Sequence, residues 1–128
     1  MTTEQLNVLS KIILNASVAV HREMGPGLLE AVYHHCLVRE LMLQNLQVAT
    51  LVPIPLQYKG YPLNKDYVID ILVEDEIILE LKAVEILLPV HEAQIISYLK
   101  LANKRLGFLI NFNVPLLKTG FKRFVNNF

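Results

Sequence analysis

An α/β fold with a mixed sheet is predicted for this chain by three observations. Two apolar-periodic helical segments come first, short β-rich runs fill the middle, and a further helical segment connects the last of these runs to one more strand. At 128 residues the chain can bury a real core but is too short for two ordinary domains, so one domain over residues 1–128 and one site are expected.

The first segment, Thr2 to about Glu23, carries Leu6, Leu9, Ile13, Ala16 and Val20 at helical spacing, with Thr2 and Gln5 placed to form a capping box. Gly25-Pro26-Gly27 cannot continue that helix, and a second periodic run begins at Leu28 and lasts to about Asn45. Three β-rich runs follow, Leu51 to Tyr58, Tyr67 to Val73 and Ile77 to Ala83, separated by turn formers such as Lys59-Gly60 and Asn64-Lys65-Asp66. Pro53 and Pro55 each remove a backbone donor, which assigns the first run to an edge strand or a strand end. A third helix fits Val90 to Ala102 after Pro89, and Leu106 to Phe112 reads as the final strand. A helical crossover of that length makes the last strand parallel to the third.

Apolar residues are 53% of the chain and charged residues 19%, which excludes a disordered polymer and leaves an apolar surplus that a homodimer interface would absorb. No apolar run reaches the roughly 18 to 20 residues that span a bilayer. The start Met1-Thr2-Thr3-Glu4 lacks the basic residues of a signal peptide, so a cytoplasmic protein without membrane contact is expected. Cys36 is the single cysteine, which rules out an internal disulfide and a thiolate zinc cluster; core packing is its expected role. The formal net charge is zero, yet all 12 acidic residues lie at or before Glu92, and six basic residues with no acid follow Ala93. An acidic part that holds a cation and a basic part that meets phosphates is one reading of this asymmetry; charges that mingle on the folded surface are the other.

Three charged residues stand where strands should be apolar. Tyr67-Val68-Ile69-Asp70-Ile71-Leu72-Val73 is interrupted by Asp70, and Ile77-Ile78-Leu79-Glu80-Leu81-Lys82-Ala83 by Glu80 and Lys82. Strand side chains alternate, so Glu80 and Lys82 share a face. A three-residue loop, Glu74-Asp75-Glu76, would pair Val73 with Ile77 and set Asp70 opposite Glu80. A two-residue turn would send Asp70 to the other face. The longer loop is expected because it keeps all three polar residues out of the ladder. Two adjacent carboxylates repel and are stable mainly around a cation; a hard divalent ion such as Mg²⁺ binds through one or two carboxylates and keeps waters for phosphate oxygens. Lys82 would then orient an attacking water or offset charge that builds on phosphorus. The plain structural alternative is an Asp/Glu-Lys ion network between two surface strands.

Glu30 shares a helix face with Tyr33, His34, Leu37 and Leu41 and is a fourth candidate, although a glutamate in a first helical turn is favoured by the macrodipole alone. Gln94 and Tyr98, at i and i+4, reach one spot together, with Lys100 nearby. His21, His34, His35 and His91 show no two-histidine motif at ligand spacing and are expected to be surface groups or supports behind the site. No glycine-rich phosphate loop and no serine nucleophile is evident.

These residues resemble a known family. Gly27-Leu28-Leu29-Glu30-Ala31-Val32-Tyr33 is similar to the motif that names the GxxExxY protein family, and Asp70 followed by Glu80-Leu81-Lys82 resembles the D…(D/E)xK signature of the PD-(D/E)XK nuclease superfamily, to which that family is assigned. Pro89-Val90-His91-Glu92-Ala93-Gln94, Tyr98-Leu99-Lys100 and Asn111-Phe112-Asn113-Val114-Pro115 extend the likeness, which runs from about Ile12 to Phe124. The resemblance implies a restriction-endonuclease-like αβββαβ core with a mixed four-stranded sheet flanked by helices and an extra N-terminal helix. It also implies a site in which Glu30, Asp70 and Glu80 hold Mg²⁺ or Mn²⁺, Lys82 completes the catalytic set, and Gln94 and Tyr98 form a QxxxY element that touches nucleic acid. Ile69 stands where the superfamily name places proline, which leaves the acids in position.

Two function classes follow. One is metal-dependent hydrolysis of phosphodiester bonds in DNA or RNA; the other is a non-catalytic binding or assembly module on the same fold. A metal-dependent phosphatase of nucleotides is a third reading, told apart by turnover of small substrates.

Overall fold

Apolar spacing at the N-terminus sets the first layer. In a computed structural model that describes residues 1–128, α1 (Thr3–Met24) buries Leu6, Leu9, Ile13, Ala16 and Val20, the stripe that the spacing predicts. Its start is held by the expected capping box: Gln5 N–H donates to Thr2 Oγ1 (3.1 Å) and Thr2 N–H to Gln5 Oε1 (2.8 Å). Ser10 and Ser17 are buried in the same stripe, and each hydroxyl donates to the carbonyl four residues back, Leu6 and Ile13, so neither is left unpaired. The helix stops at Gly25 and Gly27, whose φ values of 70° and 94° are left-handed and cost a glycine nothing. Beyond this elbow α2 (Glu30–Leu43) buries Tyr33, Leu37 and Leu41.

The sheet has five strands in sequence order: β1 (Val48–Tyr58), β2 (Tyr61–Val73), β3 (Ile77–Lys82), β4 (Leu106–Asn111) and β5 (Phe121–Val125). β3 and β4 are parallel and joined by α3 (Pro89–Leu101), as the crossover length predicts, and the other neighbours are antiparallel. β1 lies at the edge, where its two prolines are tolerated. The expected four-stranded sheet is therefore corrected to five. β5 escapes a period-2 reading because it offers one aromatic to each face: Phe121 stacks on Phe108 in one cluster, while Phe124 packs against the other. Lys122 and Arg123 between them are exposed, as suits an edge strand.

The hairpin of β1 and β2 is also longer than expected. Lys59 and Gly60, both at positive φ, make its two-residue turn. Asn64, also at positive φ, does not end the strand; it accompanies a register shift opposite Pro55 and Gln57.

Helices cover both faces. α1 and α2 pack on one, in a cluster of 18 buried residues that includes Ile71, Val73, Leu79, Leu81, Phe108 and Ile110. α3 packs on the other through Ile95, Tyr98 and Leu99 against Ile54, Ile69, Leu72, Ile78 and Leu109.

Candidate active site

On β3 the odd residues Ile77, Leu79 and Leu81 belong to the α1/α2 core, so alternation turns Ile78, Glu80 and Lys82 toward the α3 side. Glu80 is only 4% exposed. The β2–β3 connection is the three-residue loop Glu74-Asp75-Glu76, with Val73 paired to Ile77, and the same register continued would set Asp70 opposite Glu80.

The ladder itself stops one step earlier, at Ile71↔Leu79. Leu51 and Asp70 lie between the pairs Thr50↔Ile71 and Val52↔Ile69 and are themselves unpaired in the β1–β2 register, and Leu51 has φ 51°, an uncommon value for a side chain of its size. Around these two residues the faces exchange: Ile71 lies in the α1/α2 cluster, whereas Ile69, two residues away, lies in the α3 cluster. β2 therefore turns away from β3 at Asp70, and the carboxylate crosses the gap so that its Oδ2 accepts the Leu81 N–H at 2.9 Å. That places Asp70 beside Glu80, whose carboxyl it influences directly.

Two carboxyls this close cannot both ionise without compensation. Burial pushes the Glu80 carboxyl up to about 10, the neighbouring Asp70 pushes mainly the same way, and the Lys82 charge opposes them. One oxygen of Glu80, Oε1, is buried with no hydrogen-bond partner. A buried acceptor without a donor is costly, and a cation is the partner its neighbours fit. No three His, Cys, Asp or Glu residues gather into a ready-made cage, so the fit is to a hard ion that takes two carboxylates and fills its shell with water.

The glycine elbow explains how Glu30 reaches this place. Tyr33 is fully buried, stacks on Phe112 (4.6 Å, 7°), donates its hydroxyl hydrogen to Gly25 O (2.6 Å) and accepts the Leu28 N–H (3.1 Å). It clamps the elbow from below, and Glu30, the first residue of α2, is left at the rim. The Glu30 carboxyl is raised above its usual range, by loss of water first and by Asp70, against Lys82, His34 and His91. Glu30 and Asp70 line one cleft of about 430 Å³ with His34, Thr50 and Leu51.

On α3, Gln94 Nε2 donates to the Tyr98 hydroxyl at 2.8 Å, so the pair does meet. Tyr98 is buried, and its phenol is raised by that burial and then by Glu80, which places it against the carboxylates. Lys100 is exposed and lies about 200° round the helix from Tyr98, so it does not share that spot. Two of the histidines serve the backbone: His91 Nδ1 accepts the Leu88 N–H at the start of α3, and His21 Nε2 meets Val114 O at 2.7 Å. The charge asymmetry partly cancels in space, since Lys104 pairs with Asp75 and Lys122 with Glu92, each at 3.2 Å.

Two supports were not singled out from the sequence. Asn111, buried and paired with Lys82 across β3 and β4, donates to Val84 O and accepts from Val84 N and Asn113 N, tying down the chain just past Lys82. An asparagine inside an apolar strand is the same kind of signal as Asp70. Tyr67, whose ring lies 5.2 Å from that of Tyr98, carries no such signal, because tyrosine is ordinary in a strand.

Compared with known proteins, residues 7–124 match the sequence model of the PD-(D/E)XK nuclease superfamily. No curated protein matches the chain. No solved structure matches it either.

Proposed function

The chain belongs to the PD-(D/E)XK nuclease superfamily, and from that premise we propose that residues 1–128 form a single-domain, divalent-metal-dependent nuclease that hydrolyses phosphodiester bonds in DNA or RNA. The observation that carries this reading is the unpartnered, buried Oε1 of Glu80 beside the Asp70 carboxylate. Asp70 and Glu80 hold Mg²⁺ or Mn²⁺, and Glu30 contributes from the rim. When bound, such an ion polarises a phosphoryl oxygen and makes water a better nucleophile at neutral pH.

The chain's own groups do the rest. Lys82, on the face it shares with Glu80, orients the attacking water and offsets charge that gathers on the phosphate oxygens. Asp70 is steered by the Leu81 N–H, so its free oxygen keeps a set direction. Tyr98 and Gln94 offer a hydroxyl and an amide to the strand beside the scissile bond. Asn111 keeps Lys82 in place by pinning Val84.

The decisive experiment incubates the protein and its Lys82→Ala variant with labelled single- and double-stranded DNA and RNA in Mg²⁺ or Mn²⁺. We expect cleavage by the parent and a loss of about a hundredfold or more in the variant, the usual scale for a group that manages a proton or charge in the transition state. No cleavage by either protein, or equal cleavage by both, sinks the assignment.

A binding or assembly module on the same fold is the second reading, favoured by the zero net charge and by the ion pairs that occupy Lys104 and Lys122. Calorimetry separates the two: Mn²⁺ binding that vanishes in Asp70→Ala counts against the module.

A further inference from the structure

β3 ends its pairing with β2 at Ile71, but the β1–β2 hairpin runs on as a two-stranded arm. Residues 61–68 of β2 are all exposed. A lone hairpin is at best marginally stable in water, so the arm adds little to the fold. It nevertheless carries Tyr58, Tyr61 and Tyr67 together with Lys59 and Lys65.

The register aligns these tyrosines. Alternation along β1 puts Ile54 and Tyr58 on one face, and their partners Tyr67 and Tyr61 stand on that face with them. Ile54 packs in the α3 cluster, so the face is the one that holds Tyr98 and Glu80. Exposure rises outward along the row, from 4% at Tyr98 to 42% at Tyr67, 62% at Tyr58 and 72% at Tyr61. The outer pair stands about 13 Å beyond the Ile54–Tyr67 pair, at four residues of strand rise. Lys59 lies with its ammonium 5.4 Å from the Tyr58 ring centre, and neither it nor Lys65 takes part in the protein's ion pairs.

The prolines speak against a second copy that docks by strand addition. Pro53 and Pro55 pair with Val68 and Asp66 within the ladder, and Pro62 with Gln57, so their missing N–H groups lie on the outer edges of the arm. A strand laid along either edge would meet gaps in its donors.

We propose that this arm guides a single strand of nucleic acid into the site, with Tyr67, Tyr58 and Tyr61 stacking on bases and Lys59 and Lys65 meeting phosphates. The inference rests on the nuclease reading for where the strand leads, whereas binding itself needs neither metal nor cleavage. Stacking platforms interleaved with lysines suit single strands, whose bases are free to leave their neighbours.

The test measures anisotropy of labelled single-stranded DNA, single-stranded RNA and duplex DNA of equal length with the full protein in metal-free buffer. Tyr58→Ala with Tyr61→Ala, both at exposed positions, should weaken single-strand binding by about 10- to 100-fold, whereas Tyr58→Phe with Tyr61→Phe, which keeps the rings, should stay close to the parent. Raising salt should weaken the parent, because lysine-phosphate contacts release counterions. Three outcomes overturn the proposal: a parent that binds no single strand, an alanine variant that binds as the parent does, and a loss confined to duplex. An alanine variant that changes only the sedimentation of the protein reassigns the arm to a dimer contact and overturns it as well. Because Mn²⁺ calorimetry and the Lys82→Ala assay judge the catalytic site separately, failure of the arm and failure of the nuclease reading are distinguishable.

Discussion

The face of the sheet under α1 and α2 buries 18 residues in one apolar cluster, whereas the face under α3 buries eight and gives its neighbouring positions to Asp70, Glu80 and Lys82. On the first face even the buried serines are satisfied within their own helix. On the second, Glu80 keeps an oxygen with no partner at all. The contrast teaches that one face carries the stability, and the other holds charges whose cost that stability offsets.

Four measurements break or sharpen this contrast. The largest expected effect is on the stable face: Leu79→Ala, which empties a fully buried position between the sheet and the two helices, should destabilise by about 2–5 kcal/mol in denaturant unfolding. A cost below 1 kcal/mol would mean that this face is not the tightly packed one.

The second concerns Glu80. Its folded carboxyl titrates near 10, far above the 4.5 of an ordinary glutamate, so between these values the unfolded chain has lost a proton that the folded chain keeps. The contribution of this group to metal-free stability is therefore full below about pH 4.5 and is lost as pH rises toward 10, by at most about 1.4 kcal/mol per pH unit. Glu80→Gln removes that slope, so the variant should gain on the parent between pH 6 and pH 9 in chelator. Parallel pH profiles for the two proteins would refute the buried, protonated state. Mn²⁺ should bind more tightly as pH rises, since it displaces the same proton.

The third is Gly120. A Cβ there would collide with the Asn111 carbonyl, a backbone atom that cannot swing aside, so Gly120→Ala should cost about 1–3 kcal/mol and disturb β5. Thermal unfolding of the variant checks this, and an unchanged midpoint would show that the β4–β5 edge yields easily. The smallest effect is expected at the helix start: Thr2→Ala breaks the capping box of α1 and should cost about 1 kcal/mol, read from the same unfolding curves.

Much of this architecture was legible in the chain. The stripe of α1, the capping box and the parallel β3–β4 pair follow from residue spacing and connection length, and the three-residue β2–β3 loop from keeping its polar residues out of the ladder. β5 was not legible, because Phe121 and Phe124 serve opposite faces and erase the alternation. The site divides in the same way. Asp70, Glu80 and Lys82 declared themselves as charges inside apolar strands, and Gln94 with Tyr98 by helical spacing. Lys100 shares their stretch of sequence but not their side of α3. Tyr67 has the pattern of any strand tyrosine, and only its contact with Tyr98 sets it apart.

By itself the sequence determined which residues had to be explained, since a carboxylate in a strand interior opposes both propensity and burial and so marks itself wherever it occurs. Only the tertiary structure decided how those residues meet. The departure of β2 from β3 at Asp70, the hydrogen bond to Leu81 that brings the carboxylate across, and the dry surroundings that lift Glu80 all depend on strands and helices distant in sequence. Local pattern reports what a residue prefers, whereas burial and electrostatic coupling belong to the neighbours that folding brings to it.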